Sequence, residues 1–119
     1  MGDFRRLRIW LKAHELTIRV YMLTKLLPKK ETFVLISQIR RAAISVESNI
    51  AEGEDRFRQA DKNKFFVDSR SSLKEVQSQL LLIADLYPKV KSESLALFEE
   101  YETLGKQITS FMNYRRNHG

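Results

Sequence analysis

Apolar residues recur along the chain at steps of three and four positions, the spacing of one face of an α-helix. The first series stops before Pro28 and consists of Ile9, Ala13, Leu16, Val20, Leu23 and Leu27. The second is Leu35, Ile39, Ala42, Val46 and Ile50. The third and fourth are Leu73, Val76, Leu80, Ile83 and Tyr87, then Phe98, Tyr101, Leu104, Ile108 and Phe111. The pattern predicts four amphipathic helices over residues 5–27, 32–52, 60–87 and 92–113.

Residues with known preferences at helix termini refine these boundaries. Thr32 and Ser92 are suitable N-cap residues for the second and fourth helices, because a hydroxyl can accept from a free backbone N–H. Gly53 is suited to the position after the second helix, where a positive φ is common. Beyond the last apolar series, Asn113–Gly119 is expected to be a frayed tail.

Four helices of similar length with short connections predict an all-α fold, an antiparallel up-and-down four-helix bundle. A chain of 119 residues has the size of one domain, so we expect residues 1–119 to share one core. Only four glycines and two prolines are present, which argues against an all-β fold with its many turns.

Composition narrows the classes of function. The chain has no cysteine, which excludes disulfides, zinc–thiolate sites and a cysteine nucleophile. His14 and His118 do not stand in a metal-binding or catalytic spacing, and no nucleotide-binding or serine-hydrolase motif is present. We therefore predict a protein that is not an enzyme and uses no metal or cofactor. No signal peptide or membrane-spanning run is apparent, so a cytoplasmic location is expected.

The net charge of +6 is concentrated near the start of the chain. Residues 1–30 contain eight Lys/Arg and two Asp/Glu, whereas the rest of the chain contains thirteen of each sign. This asymmetry favours attraction to a polyanion, the alternative being a solvated basic surface without a partner. No sequence-reading RNA motif is present, so we expect contact with the phosphate backbone. The predicted nucleic-acid-binding residues are Arg5, Arg6, Arg8, Lys12, Arg19, Lys29 and Lys30.

A polar stripe adjoins the apolar face of the second helix. It consists of Gln38, Arg41, Ser45, Asn49 and Glu52, with Arg40 beside it. One hypothesis is a hydrogen-bonded network between helices or between subunits. The other is that Arg40 and Arg41 bind phosphate. The acidic and amide groups on the same stripe favour the network, because they would compete with phosphate.

A motif of unusual specificity overlaps this stripe. It reads Pro28-x-x-Glu31-x-Phe33-x-Leu35-x-x-Gln38-Ile39-Arg40-Arg41-Ala42-Ala43-x-Ser45-x-x-x-Asn49-Ile50-Ala51-Glu52-Gly53. It resembles the small proteins encoded in intervening sequences of bacterial 23S ribosomal RNA genes, over roughly residues 4–111. The third helix of that family carries Ala-x-Gly-Ser-Leu-x-Glu. Here it reads Ser69-Arg70-Ser71-Ser72-Leu73-Lys74-Glu75, so serines replace the alanine and glycine but keep the side chains small.

The resemblance implies an antiparallel four-helix bundle and no enzymatic activity. Family members are similar to accessory proteins of diversity-generating retroelements, which assemble as pentameric barrels and bind nucleic acid and a reverse transcriptase. It therefore implies a homo-oligomer, by analogy a pentamer, with structured RNA such as ribosomal RNA as the expected partner. The leading hypothesis is an RNA-associated bundle that binds through its basic first helix. The alternative is an oligomeric scaffold for protein interaction, without direct nucleic-acid contact.

Overall fold

A computed structural model describes residues 2–118 and contains four long helices. They are α1 (Arg8–Thr24), α2 (Ser37–Asp55), α3 (Gln59–Leu86) and α4 (Lys91–His118). Short 3-10 turns occupy Phe4–Arg6, Lys29–Glu31 and Pro88–Val90. No strand occurs between residues 2 and 118, and the predicted all-α class is confirmed.

The four helices pack side by side in an elongated bundle of 46 × 23 × 20 Å. Each helix packs against the next along the chain, most extensively α2 against α3, and α1 closes the bundle against α4. Short connections reverse the chain three times, so neighbouring helices run antiparallel. The predicted up-and-down bundle is therefore confirmed.

The core contains the apolar series that the sequence predicts, together with further buried residues such as Phe66 and Leu97. Leu16, Ile39, Leu80 and Leu104, one from each helix, are completely buried. Three aromatic members lie partly buried at the edge of the core: Tyr87, Phe98 and Phe111. None of the helices within residues 2–118 is both long enough and apolar enough to cross a membrane.

The entry into α2 differs from the predicted cap at Thr32. Thr32–Ile36 forms a π-helical turn, and the Thr32 hydroxyl donates 2.7 Å to the carbonyl oxygen of Lys29. The preceding 3-10 turn has already reversed the chain. Thr32 therefore lies within a continuous helical segment and is not its N-cap. Phe33, within this turn, is 90% exposed.

Gly53 lies inside α2, which continues to Asp55, so the expected positive φ after a helix ending at Glu52 is wrong. A Cβ added at Gly53 would lie 2.9 Å from Cε1 of Phe66 and 3.2 Å from Cβ of Phe65. Glycine is needed here because the first turns of α3 approach the α2 backbone closely.

Two predictions for α4 are also wrong. Ser92 is not an N-cap, because the 3-10 turn at Pro88–Val90 leads directly into a helix that begins at Lys91. The expected tail from Asn113 is helical through His118, and Gly119 lies outside the described residues. The last turns are held because Arg115 pairs with Glu54 of α2, as described below.

Serines mediate the close contact between α2 and α3. The hydroxyl of Ser69 donates 2.7 Å to the carbonyl oxygen of Val46, and those of Ser72 and Ser45 are 2.7 Å apart. Ser69 is fully buried. Ser69, at the alanine position of the family pattern, and Ser72 therefore allow close approach and satisfy their own hydroxyls, whereas Ser71, at the glycine position, is exposed.

Candidate nucleic-acid interface

Cations in the middle of α1 are paired with carboxylates of α4. The Lys12 ammonium lies 2.6 Å from Glu100 and 3.2 Å from Glu15, and Arg19 lies 3.3 Å from Glu93. The Glu100 hydrogen bond raises the pKa of Lys12, and the Lys12 hydrogen bond lowers the pKa of Glu100. The tertiary fold thus compensates much of the charge that the isolated first helix would carry.

The remaining predicted nucleic-acid-binding residues form two groups at opposite ends of α1. Arg5 is held by Asp3 through bonds of 3.0 and 2.9 Å. Arg6 and Arg8 have no carboxylate within 4.0 Å in the described chain, and the same holds for the two lysines at the far end, Lys29 and Lys30. The seven residues therefore do not make one continuous patch.

One end of the bundle gathers basic residues from α1, α3 and α4 and from the α2–α3 connection. We call it the arginine-rich end, and it comprises residues 3–8, 52–64 and 113–118. It contains nine Lys/Arg and five Asp/Glu. Arg115 of α4 donates 2.9 and 3.0 Å to the two carboxylate oxygens of Glu54 on α2, which fixes the C-terminal turn beside the α2–α3 connection. The Glu54 side chain is only 5% exposed.

Four carboxylates of this end are paired locally, which leaves several cations uncompensated. The acids Asp3, Glu52, Glu54 and Asp61 each hold one arginine. Within residues 2–118, the cations of this end without a carboxylate inside 4.0 Å are Arg6, Arg8, Lys62, Lys64 and Arg116. Such cations can neutralise phosphate without first breaking an ion pair.

Exposed aromatic rings accompany these cations. Phe57, in the α2–α3 connection between two arginines, is 84% exposed, and Tyr114 is 59% exposed. The Tyr114 ring stacks on His118 with centroids 4.3 Å apart. Flat rings on a basic surface are a stacking platform for unpaired bases. The sequence analysis missed Phe57, although the run Arg56-Phe57-Arg58 in a polar connection is a recognisable signal.

The opposite end of the bundle, residues 25–31 and 85–93, is less basic, with five lysines and three acids. The hydroxyl of Tyr87 donates a short hydrogen bond to the Glu31 carboxylate, and this bond raises the pKa of Tyr87. The motif residue Glu31 thus joins the α1–α2 connection to the end of α3. We assign it a structural role.

Arg40 turns away from the polar stripe toward α1. Its Nε donates 2.9 Å to the Thr24 hydroxyl, and its guanidinium lies 4.2 Å from the centre of the Tyr21 ring. The buried Thr24 hydroxyl also donates to the carbonyl oxygen of Val20. Arg40 therefore fastens α2 to α1.

The polar stripe itself contains only a short hydrogen-bonded chain. Asn49 donates 2.9 Å to the carbonyl oxygen and 3.0 Å to the hydroxyl of Ser45, which meets Ser72 of α3. Glu52 pairs with Arg56 at 2.7 Å. Gln38 and Arg41 are exposed and make no side-chain hydrogen bond within residues 2–118. The structure thus leaves Arg41 available to a partner.

The histidine singled out in the sequence has structural neighbours. Nδ1 of His14 lies 2.9 Å from the Glu47 carboxylate, and its ring stacks on Trp10 at 4.8 Å. Across residues 2–118, no three His, Asp or Glu side chains are grouped so that they could hold a metal ion.

Fold and surface together define a small antiparallel helical bundle whose distinctive chemistry lies on its outer surfaces. The family model of the 23S rRNA-intervening sequence protein matches residues 5–110, so the chain belongs to that family and the resemblance is confirmed. The bundle is also similar to a crystal structure from Bacteroides thetaiotaomicron, described as a protein of unknown function from the S23 ribosomal protein family. The TM-score is 0.79 at 22% identity, covering 87% of this chain and 97% of that one, which establishes the fold alone. No curated protein matches the chain.

Proposed function

We propose that this protein binds RNA without enzymatic activity, and that the arginine-rich end is the contact surface. This moves the expected interface from the length of the first helix to one end of the bundle. The observation that carries the proposal is the co-occurrence of uncompensated cations with the exposed ring of Phe57. Cations bind phosphates, and rings stack on bases that are not paired.

The pairing pattern supports this location over the middle of α1. Lys12 and Arg19 would have to leave Glu100 and Glu93 before they could neutralise phosphate. Arg6 and Arg8 would not, because they have no such partner in the described chain. Single-stranded or looped RNA fits better than a rigid duplex, since only unpaired bases can reach an aromatic ring.

The salt dependence of binding tests the proposal. Fluorescence anisotropy is measured with a looped ribosomal RNA fragment, a random RNA and a duplex DNA. The double variant Arg6→Gln, Arg8→Gln removes two uncompensated charges. The slope of log K against log salt should fall by about 1.4, at about 0.7 per contacted phosphate of a single strand. The matched control is Lys12→Gln, Arg19→Gln, which removes the same charge from paired positions and should change the slope much less.

Equal effects of the two double variants would show that only net charge matters and would refute the assigned surface. Absence of binding by the folded protein at low salt would refute RNA binding altogether. Phe57→Ala is a separate test of stacking, because this side chain is 84% exposed and its removal leaves the core intact. It should weaken binding to looped RNA by about 1–3 kcal/mol and leave duplex binding unchanged.

A second candidate function, an oligomeric scaffold, is favoured by apolar side chains on the outside of α1 and α2. Leu11, Ile18 and Met22 are half-exposed and follow one another at steps of seven and four. They form a stripe on the face of α1 opposite its buried series. Phe33, in the π-helical turn before α2, and Ile44 of α2 add exposed apolar surface. Several large apolar side chains exposed on neighbouring elements are typical of a protein interface.

Sedimentation velocity tests self-association through this surface. Met22→Glu with Phe33→Glu should convert an oligomer, a pentamer if the family relationship extends to assembly, into monomers. Leu81→Glu with Leu95→Glu, on exposed positions of α3 and α4, is the matched control and should leave the oligomer intact. A wild-type protein that sediments as a monomer at high concentration would rule out the scaffold built from copies of this chain.

A further inference from the structure

A surface groove between α3 and α4 has the size of a small-molecule site. Its volume is about 460 Å3, within the range of roughly 300–1,000 Å3 that is usual for ligand pockets. Val67, Leu73 and Gly105 supply an apolar floor. The groove lies on a different face from the apolar stripe of α1 and α2.

Gly105 keeps this floor open although helix packing does not require a glycine there. It lies in the interior of α4, where glycine costs about 1 kcal/mol relative to alanine. An added Cβ would lie 3.5 and 3.7 Å from the two methyl groups of Leu73, which is ordinary van der Waals contact. This differs from Gly53, where a Cβ would collide with Phe66. The missing side chain at position 105 therefore leaves space above Leu73.

The rim of the groove is positively charged. Arg70 donates 2.9 Å to the neutral hydroxyl of Thr109, so this bond leaves its charge uncompensated. Lys106 has no carboxylate within 4.0 Å in the described chain. Lys74 lies 3.8 Å from Glu102, the one acidic residue of the lining. Three cations thus surround one carboxylate.

Glu102 cancels one of these three positive charges, so two of the three remain uncompensated in the lining. Nε2 of Gln77 donates 2.9 Å to Oε1 of Glu102. This hydrogen bond, together with the nearby Lys74, lowers the pKa of Glu102. The remaining cations, Arg70 and Lys106, are complementary to an incoming anion, while the floor is complementary to an apolar body.

We propose that the α3–α4 groove binds an amphipathic organic anion, with its apolar body on Val67, Leu73 and Gly105 and its acidic group on Arg70 and Lys106. The acidic group can be a carboxylate, a sulfonate or a phosphate, since a guanidinium and an ammonium bind each of them. Binding at this groove requires neither the nucleic-acid contact nor the self-association proposed above.

The first probe is 8-anilinonaphthalene-1-sulfonate, a fluorescent aromatic anion, titrated against the full chain. We expect saturable binding at one site per chain. Gly105→Leu places a side chain over the floor and should weaken binding at least tenfold. The double variant Arg70→Gln, Lys106→Gln should weaken it by a similar factor. N-phenyl-1-naphthylamine, which has the same rings but no charge, should bind wild type at least tenfold more weakly than the sulfonate.

The matched control is a leucine substitution in a different groove of the bundle. Ser37→Leu adds the same kind of side chain to the groove lined by Tyr21, Phe33 and Ile36 and should leave sulfonate binding unchanged. Equal loss in Gly105→Leu and Ser37→Leu would overturn the proposal, and so would no binding to wild type or full binding to Gly105→Leu. Methyl NMR of wild type is independent of any variant's folding. Val67 and Leu73 resonances should shift on titration, and shifts confined to other methyls would also overturn it.

Competition then distinguishes the sources of the anion. Dodecanoate displaces the probe if the groove selects a fatty-acid-like carboxylate, and 1-naphthyl phosphate displaces it if it selects an aromatic phosphate. Displacement by either one supports the proposal and names the ligand class. Failure of both to displace the sulfonate would overturn it, because the groove would then not recognise an amphipathic anion in general.

Discussion

We expect alanine to have opposite effects on stability at the two glycines inside long helices, Gly53 and Gly105. At Gly53, a Cβ would lie 2.9 Å from Cε1 of Phe66, a residue with no exposed surface that cannot swing away. Overpacking of a core costs about 1–3 kcal/mol, and the better helix propensity of alanine returns about 1 kcal/mol. We expect Gly53→Ala to lower the free energy of unfolding by about 1 kcal/mol.

At Gly105 the Cβ meets only ordinary contacts with Leu73, so the propensity gain is unopposed. We expect Gly105→Ala to raise the free energy of unfolding by about 0.5–1 kcal/mol. The two variants should therefore differ by about 2 kcal/mol, or about 8 °C in melting temperature for a domain of this size.

Urea and thermal unfolding followed by circular dichroism measure this difference. All proteins are compared at one concentration, because self-association would make the melting temperature concentration-dependent. Each variant serves as the control for the other, since both replace a helical glycine by alanine. A Gly53→Ala protein as stable as wild type would refute the argument that α3 approaches α2 too closely for a side chain.

Three further predictions concern buried or paired polar groups. Arg115→Ala leaves the buried Glu54 carboxylate without a cation partner among residues 2–118 and should cost about 2–3 kcal/mol in urea unfolding, less than for a fully buried pair because Arg115 is partly exposed; a change below about 0.5 kcal/mol would contradict this. The Tyr101 hydroxyl is buried and meets no hydrogen-bond geometry within residues 2–118, although the Thr17 hydroxyl lies nearby. Tyr101→Phe should therefore stabilise the fold by about 1 kcal/mol, and a loss of stability would identify Thr17 as its partner. Lys12 lowers the pKa of Glu100 below its ordinary value of 4.5. Their pair therefore stabilises the fold fully at pH values above 4.5, and this stabilisation is lost as the pH falls through the lower pKa of the folded state. NMR titration should show the pKa of Glu100 rising in Lys12→Gln, and an unchanged pKa would disprove the coupling.

The helices and the core could be predicted from the sequence because helical periodicity is a local property. Residues such as Leu16, Val20 and Leu23 repeat at 3.6-residue spacing, and one face of a helix must be buried whatever its neighbours are. The motif around Arg40 and Arg41 likewise pointed to the family, since a linear pattern of residues can be recognised without the tertiary structure. Helix termini were less predictable, because tertiary bonds such as Arg115 to Glu54 extend a helix past its apolar series.

The candidate surface was only partly predictable. The sequence indicated an excess of positive charge near its start, yet it could not show that Lys12 and Arg19 lie beside carboxylates of the fourth helix. It could not show that Arg6, Lys64 and Arg116 meet at one end of the bundle, since they belong to three separate segments.

By itself, the sequence determined the helical class, the buried faces and the family. Only the tertiary structure decided which cations remain uncompensated, why Gly53 must lack a side chain, and why Gly105 need not. The physical reason is the separation along the chain over which each interaction acts. Helix propensity and amphipathic periodicity act within a few turns of one helix, whereas ion pairs, steric contacts and grooves depend on which helices become neighbours in space.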